Sequence, residues 1–380
     1  MNIFDRPTRD ESQLTVFDVE PEWKKHWWGM PEFVMKDATP QRQITVNFMT
    51  TEDVEKFAKN LGISVTPRTN SIWFPRQRRL KGEEYKYIGK PTDSHYPVCI
   101  PSKGRADCQM TGKVLDRMGV SYQFFVEETE ADAYCEQLGE DKVVSMPFHD
   151  LGQGSIPARN YIWEWAKERE HRRHWVMDDN MTTFQRCNHN RKLPVHGGGF
   201  FCAMEEFVDR YENIAMAGPH FRAFVIDRLP RLSPFLLNSR VYSCILLDTN
   251  LPYRWRGKYN EDTDLSLRVL KDGYCTLLFR ALIMSKLATA GNRNAKPLPG
   301  GNTDNVYNTK DHRKAFAESL RAQHPDVVKV TWRYNRWHHE VDYSPFKNNQ
   351  LRLRKDVTPT VGNNEYGMRL IRTADMDECE

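Results

Sequence analysis

No stretch of the 380-residue chain approaches the roughly 18 consecutive apolar residues that a membrane-spanning helix needs. The opening residues are polar and charged, without the apolar run of a secretory leader. A soluble protein of the cytoplasm is the expectation. The eight cysteines include no Cys-x-x-Cys pair, and Cys99, Cys244 and Cys275 fall in apolar runs, so they read as buried free thiols. A zinc site on Cys187 and His189, or on His171 and His174, lacks ligand spacing. The triplet Gly197-Gly198-Gly199 is not followed by the Gly-Lys-Ser/Thr ending of a Walker loop. It reads instead as a flexible segment near an acceptor. A strong charge excess is also missing: net +4 and a pI near 8.5 allow a polyanionic partner without requiring one.

What is present can build a core, with 39% hydrophobic and 12% aromatic residues. Residues 1–20 read as a polar arm. Residues 21–80 read as a small α/β accessory domain that opens on Trp23, Trp27 and Trp28. It has a strand at 44–48, a helix at 51–61 and a strand at 71–75. Its helix is capped by Thr50, stopped by Gly62, and carries Val54, Phe57, Ala58 and Leu61 at helical spacing. Residues 81–94 read as a linker. From 95 to 345 strands alternate with helices: strands at 98–100, 122–126, 143–147 and 174–178, helices at 110–118, 131–138 and 161–168. That rhythm predicts a mostly parallel sheet with helices on both faces. A helix at 202–213, strands at 215–226, 240–248 and 275–287, a loop at 299–305 that could serve as a lid, and a helix at 311–323 follow. Residues 346–380 read as a basic tail.

The chain is organised around His174-Trp175-Val176-Met177-Asp178-Asp179-Asn180, an apolar strand that runs into two carboxylates and an amide. Ligand sites of open α/β sheets sit beyond the carboxyl ends of strands. Asp178, Asp179 and Asn180 offer the hard oxygens that Mg²⁺ or Mn²⁺ prefers, although a solvated turn would read the same. Other strand ends add Pro101, Ser102, Lys103 and Arg105, and a helix start adds Arg159 and Asn160. Cations and a helix amino end beside a metal-binding acid pair are what a pyrophosphate requires. Glu127 is either an acceptor for a base or ribose or a surface acid. Glu261 and Asp262 open a later helix, where an acid is either a carboxylate base or a complement to the helix dipole. Finally, residues 331–339 interleave rings with cations, notably Arg333, Arg336 and Trp337, and Arg352 and Arg354 continue the basic character. Such interleaving suits nucleic acid, and equally an amphipathic strand with extended cations.

Four of these stretches together resemble GT-A glycosyltransferases: Pro101-Ser102-Lys103-Gly104-Arg105, Ala158-Arg159-Asn160, Asp178-Asp179-Asn180 and Asn260-Glu261-Asp262. More narrowly, residues from about 95 to 345 resemble the TET-associated glycosyltransferases of phage DNA-hypermodification clusters. The most specific points are Pro-Gly-Gly-Asn-Thr-Asp at 299–304 and Tyr-Asn-Glu-Asp-Thr-Asp-Leu at 259–265. Residues 28–33 and 71–75 are similar to a small domain that recurs in phage proteins. The resemblance implies a GT-A-like fold and a nucleotide-sugar donor, a UDP-sugar first among them. It also implies a divalent metal (Mn or Mg) on the acid motif and Asp262 as base, which means inversion. The acceptor would be the hydroxymethyl group of a modified pyrimidine in DNA, with 5-hydroxymethylcytosine favoured, in the cytoplasm of an infected bacterium. In this chain the acid motif ends in Asn180, so either Asp178 with Asn180 or Asp179 alone must meet the metal, with His312, His338 and His339 as candidates for a further ligand. Rival readings are a transferase acting on a protein or small molecule, a sugar nucleotidyltransferase, and a non-catalytic DNA-binding descendant of a transferase.

Overall fold

A computed structural model describes residues 20–36, 40, 42–74, 84–90, 92–227, 232–257, 259–287 and 312–373. The polar arm up to residue 19, the loop at 299–305, the His312 side chain and the last seven residues lie outside the described set.

Helix α1 (Thr51–Asn60) and strand β1 (Tyr85–Ile88) precede the parallel heart of the molecule. There β2 (Val98–Pro101), β3 (Gln123–Glu127), β4 (Val143–Met146) and β5 (Arg173–Met177) run parallel in the spatial order β4-β3-β2-β5. The crossovers contain α2 (Met110–Met118), α3 (Ala131–Leu138) and α4 (Ile156–Glu168). Side chains alternate across this sheet as a two-residue period demands. Ile100, Phe124 and Trp175 share a core with Leu115 of α2. Their neighbours Cys99, Phe125 and Val176 pack on Ile162 of α4. Both faces are therefore covered, and each fully buried apolar side chain contributes roughly 1.5–3 kcal/mol. The α/β architecture is the one that the strand–helix rhythm predicts.

Beyond β5 the sheet becomes mixed. The chain adds β6 (Met181–Asn188), β7 (Arg191–His196), α5 (Gly199–Asp209), β8 (Ile214–Phe221), β9 (Phe235–Leu237), β10 (Cys244–Asp248), α6 (Glu261–Lys271) and β11 (Cys275–Lys286). Then come α7 (His312–Gln323), β12 (Val328–Arg333), β13 (Arg336–Val341) and β14 (Arg369–Arg372). The full order is β14-β1-β7-β6-β11-β8-β10-β5-β2-β3-β4, with β9 against β11. Strands β12 and β13 form a separate hairpin.

Three expectations change. The capped helix α1 forms, with Thr50 and Asp53 closing a reciprocal capping box. The strands expected at 44–48 and 71–75 do not appear among the described residues. A pair of short strands with no third partner cannot hold a sheet in water, and α1 has no buried residue. The tryptophans of the same segment belong to the main body: Trp27 packs against Phe207, Phe235 and Phe279, and Arg210 stacks on Trp28. The linker and tail are likewise structural. Strand β1 from the one pairs with β14 from the other, Leu353 bridges to Tyr211, and Glu365 pairs with buried Arg186. The glycine triplet is a tight crossing instead of a flexible segment. A Cβ on Gly198 would overlap the Thr92 carbonyl oxygen, and one on Gly199 the Tyr366 carbonyl oxygen.

Candidate active site

The carboxyl ends of β2, β3 and β5, the amino end of α4 and the amino end of α6 surround one cleft of about 700 Å³. It is lined by Pro101, Ser102, Lys103, Arg105, Glu127, Arg159, Asp178, Asp179, Asn180, Glu261 and Asp262. Sequence reasoning named all of these, from segments up to 161 residues apart. Asn160 is the exception. It turns away and exchanges hydrogen bonds with the Trp255 backbone, its amide donating to Trp255 O at 3.0 Å and its Oδ1 accepting from Trp255 N at 2.8 Å. Its work is to fix the loop whose indole lies 4.8 Å under the Arg159 guanidinium.

The acid motif owes its position to α2. Thr111 donates its hydroxyl to Asp178 O at 2.7 Å and accepts from Met181 N at 2.9 Å, which clamps the turn after β5. Nothing in the sequence marks Thr111 for this. The two acids then part company. Asp179 is buried, with one oxygen on Arg105 Nη1 and the other accepting from Ser102 Oγ at 2.6 Å. Burial raises its pKa above the ordinary value, even against the pull of Arg105 and Ser102. Gly104 makes the Arg105 approach possible, because its φ of +65° is a turn that a side chain would strain.

Asp178 faces the cleft. Its oxygens accept from Arg159 Nη2 at 3.3 Å and Lys286 Nζ at 2.7 Å. Burial opposes its charge, but Lys286 and Arg159 prevail and hold the carboxyl below its usual value. Lys286 also reaches Ser243 Oγ at 2.7 Å. Arg159 lies on the floor, only 5% exposed, stacked on Trp255 and 3.9 Å from Glu261. Its Nε and Nη1 are buried without a hydrogen-bond partner among the described residues. Lys103 is bound to Glu127 at 2.7 Å and to Asp150. Arg240, by contrast, lines the cleft, stacks on Tyr242 and has no carboxylate partner among the described residues. Sequence reasoning passed over Arg240, Ser243 and Lys286, which lie on or beside strands with no motif to mark them.

Helix α6 sets the opposite wall. Asn260 adopts a left-handed φ of 55° and turns the chain so that Glu261 and Asp262 start the helix at the cleft. Glu261 accepts from Ser155 Oγ at 3.2 Å, tying α6 to the start of α4, and burial raises its pKa despite Arg159. Asp262 uses Oδ1 to accept from Thr263 N at 2.7 Å. Its Oδ2 has no hydrogen bond among the described residues, which suits a proton acceptor. Asp264, the last acid of the motif, is fully buried against Arg256, Arg268 and His324 and secures α6 on α7.

Of the cationic candidates, Arg333, Arg336 and Trp337 lie on the β12–β13 hairpin. Arg352 and Arg354 do not join them. They run beside Asn213 and Asp356, by Tyr211 and the amino ends of β8 and β11, at the opposite end of the sheet from Asp178.

No helix among the described residues is long and apolar enough to cross a membrane. A comparison with curated proteins returns no match. A family model described as TET-Associated Glycosyltransferase matches residues 96–295, just over half of the chain, and its span contains the acid motif, the Arg159 helix start and Asp262. With this match over more than half of its length, the chain belongs to the TET-associated glycosyltransferase family, and so is a glycosyltransferase with a nucleotide-sugar donor.

Proposed function

We propose that this enzyme moves a sugar from a nucleotide-sugar, a UDP-sugar first among the candidates, to the hydroxymethyl group of a modified pyrimidine in DNA. The favoured base is 5-hydroxymethylcytosine. The single observation that carries the transfer chemistry is Asp262, which lines the same cleft as Asp178 and keeps one carboxylate oxygen without a hydrogen bond among the described residues. Asp262 takes the proton of the acceptor hydroxyl as it attacks the anomeric carbon, while the carbon–oxygen bond to the diphosphate breaks. Attack from the side of the base opposite the leaving group implies inversion. Glu261 serves by position, holding α6 to α4 through Ser155.

A divalent metal suits the donors of this site. Asn180 has a buried Oδ1 without a hydrogen-bond partner, while its amide donates to Leu287 O at 3.0 Å. Asp178 is held ionised, and a carboxylate has about four lone-pair sites, of which Lys286 and Arg159 take two. The cleft also sets six carboxylates against five cations, so a diphosphate meets no net positive charge from the protein alone. Asp178 and Asn180 would hold the metal; Asp179 is turned towards Arg105 and Ser102, its side chain 8% exposed against 26% for Asp178. When bound, Mg²⁺ or Mn²⁺ supplies positive charge to the leaving diphosphate. Asp178→Ala is expected to weaken metal-dependent UDP binding, measured by calorimetry, by at least the roughly 10–100-fold that loss of even a supporting group costs. Wild-type UDP affinity that ignores metal would contradict this assignment.

Arg240 and Lys286 supply the protein's own share of charge stabilisation. Arg240→Ala is expected to lower kcat by about 10²–10³-fold, the typical effect of losing one preorganised donor. An unchanged kcat would remove it from transition-state charge stabilisation. The acceptor is tested by digesting treated DNA and weighing the nucleosides. A hexose-sized mass gain on the hydroxymethyl nucleoside is expected; sugar found only on protein or small molecules would favour the alternative acceptors.

A further inference from the structure

The β12–β13 hairpin carries large rings in water. Its register sets Val328 opposite Val341, Val330 opposite His339 and Trp332 opposite Trp337, and these six residues share one face. Val328 and Val341 anchor that face on Leu267, Leu270 and Leu320. One pair further out, His339 interacts electrostatically with Asp262 and Arg240, and the hairpin's base packs on the helix that Asp262 opens. The next pair, Trp332 and Trp337, makes an edge-to-face contact with centroids 5.2 Å apart. At roughly 3.4 Å per strand residue, that pair stands about 7 Å beyond His339. Trp332 is 56% exposed and Tyr334, at the turn, 88% exposed.

Among the described residues nothing covers these rings. Tyr334 and Asn335 form the turn with φ of 52° and 57°, a conformation that glycine or asparagine adopts cheaply and a tyrosine does not. Among the described residues the Tyr334 ring meets one other ring, that of His338, at 6.3 Å. Cations flank the rings: Lys314, 3.6 Å from Glu318, lies 5.2 Å over Trp337, and Lys329, Arg333 and Arg336 are exposed on the other face of the hairpin. The one acid on the hairpin, Glu340, is already paired with Arg333 at 3.0 Å. Exposed rings and unbalanced positive charge in one element match a polyanion with flat apolar faces.

We propose that this hairpin clamps the acceptor strand, with Trp332 and Tyr334 stacking on nucleobases beside the reacting one and Arg336 and Lys314 meeting phosphates. The inference rests on the DNA-acceptor reading and sharpens it. A ring can stack on a base only where the base's face is uncovered, so the occupant is nucleic acid with at least one unstacked base. The hairpin then selects a locally opened strand over an intact duplex.

Anisotropy with short fluorescein-labelled DNAs tests this, using a single strand, a fully paired duplex and a duplex with one unpaired base. The wild type should bind the first and third more tightly than the second. Trp332→Ala with Tyr334→Ala should lose on the order of 10-fold per ring on those two DNAs, while Trp332→Phe with Tyr334→Phe keeps most of the affinity. UDP binding and thermal unfolding should stay as in the wild type, because both rings are exposed. If the wild type binds DNA and the double alanine variant binds every DNA equally well, the hairpin proposal is wrong and the acceptor reading stands. Wild-type protein that binds none of the DNAs overturns the acceptor reading, and the hairpin proposal falls with it. A change of oligomeric state in the alanine variant, seen by light scattering, would make the hairpin a contact between copies and overturn the proposal as well.

Discussion

Asp262→Asn is expected to lower kcat for sugar transfer by about 10²–10⁴-fold, the range that a positioned general base supplies. The variant isolates the proton-accepting role. Asparagine keeps a carbonyl oxygen to accept from Thr263 N, so the amino end of α6 keeps its geometry. Glu261 is untouched and still bridges to Ser155 and Arg159. UDP affinity should therefore remain at the wild-type level while turnover collapses. Arg240→Ala offers the contrast, because a guanidinium can stabilise developing negative charge but accepts no proton. An Asp262→Asn enzyme with more than a tenth of wild-type kcat would move the base elsewhere, and with it the argument for inversion.

Arg105→Ala should destabilise the fold by about 3–5 kcal/mol at neutral pH, since it strands the buried Asp179 carboxylate with Ser102 as its remaining partner. The pH dependence follows from the direction of the Asp179 shift. Its folded pKa is raised above the unfolded value of about 3.9, so its protonated form favours the fold. That stability is fully present below the unfolded pKa and is lost as pH rises through the folded pKa. Removing Arg105 takes away a group that lowers the folded pKa and pushes it further up. The deficit of the variant relative to wild type should thus be smaller at pH 5 than at pH 8. Urea unfolding at both pH values measures it. An equal deficit at both would mean that Arg105 contributes packing and not charge.

Much of the site was legible because its residues follow strands with strong patterns. Asp178, Lys103 and Glu127 each come directly after an apolar run, and α/β topology carries such positions to a common edge. The division of labour was not legible. Adjacent acids look alike in sequence, yet one faces the cleft and the other is locked to Arg105, because the turn clamped by Thr111 directs them differently. Arg240 and Lys286 carried no motif; the antiparallel return of β10 brings Arg240 to this edge, and β11, parallel to β8, ends there at Lys286. The same pairing logic misled at the chain ends. Among the described residues the short runs at 44–48 and 71–74 have strand composition but no partner, whereas β1 and β14, hidden in a charged linker and a basic tail, find each other across most of the sequence.

The central claim, donor cleavage coupled to a modified base in DNA, is tested most directly by following nucleoside diphosphate release from a panel of nucleotide-sugars with Mn²⁺ or Mg²⁺. Each reaction is run with plain DNA and with DNA containing hydroxymethylcytosine or hydroxymethyluracil. Release that requires both the metal and a hydroxymethylated base, and that disappears in Asp262→Asn, is the expected result. Release that proceeds equally with plain DNA or with no DNA would contradict the proposed acceptor.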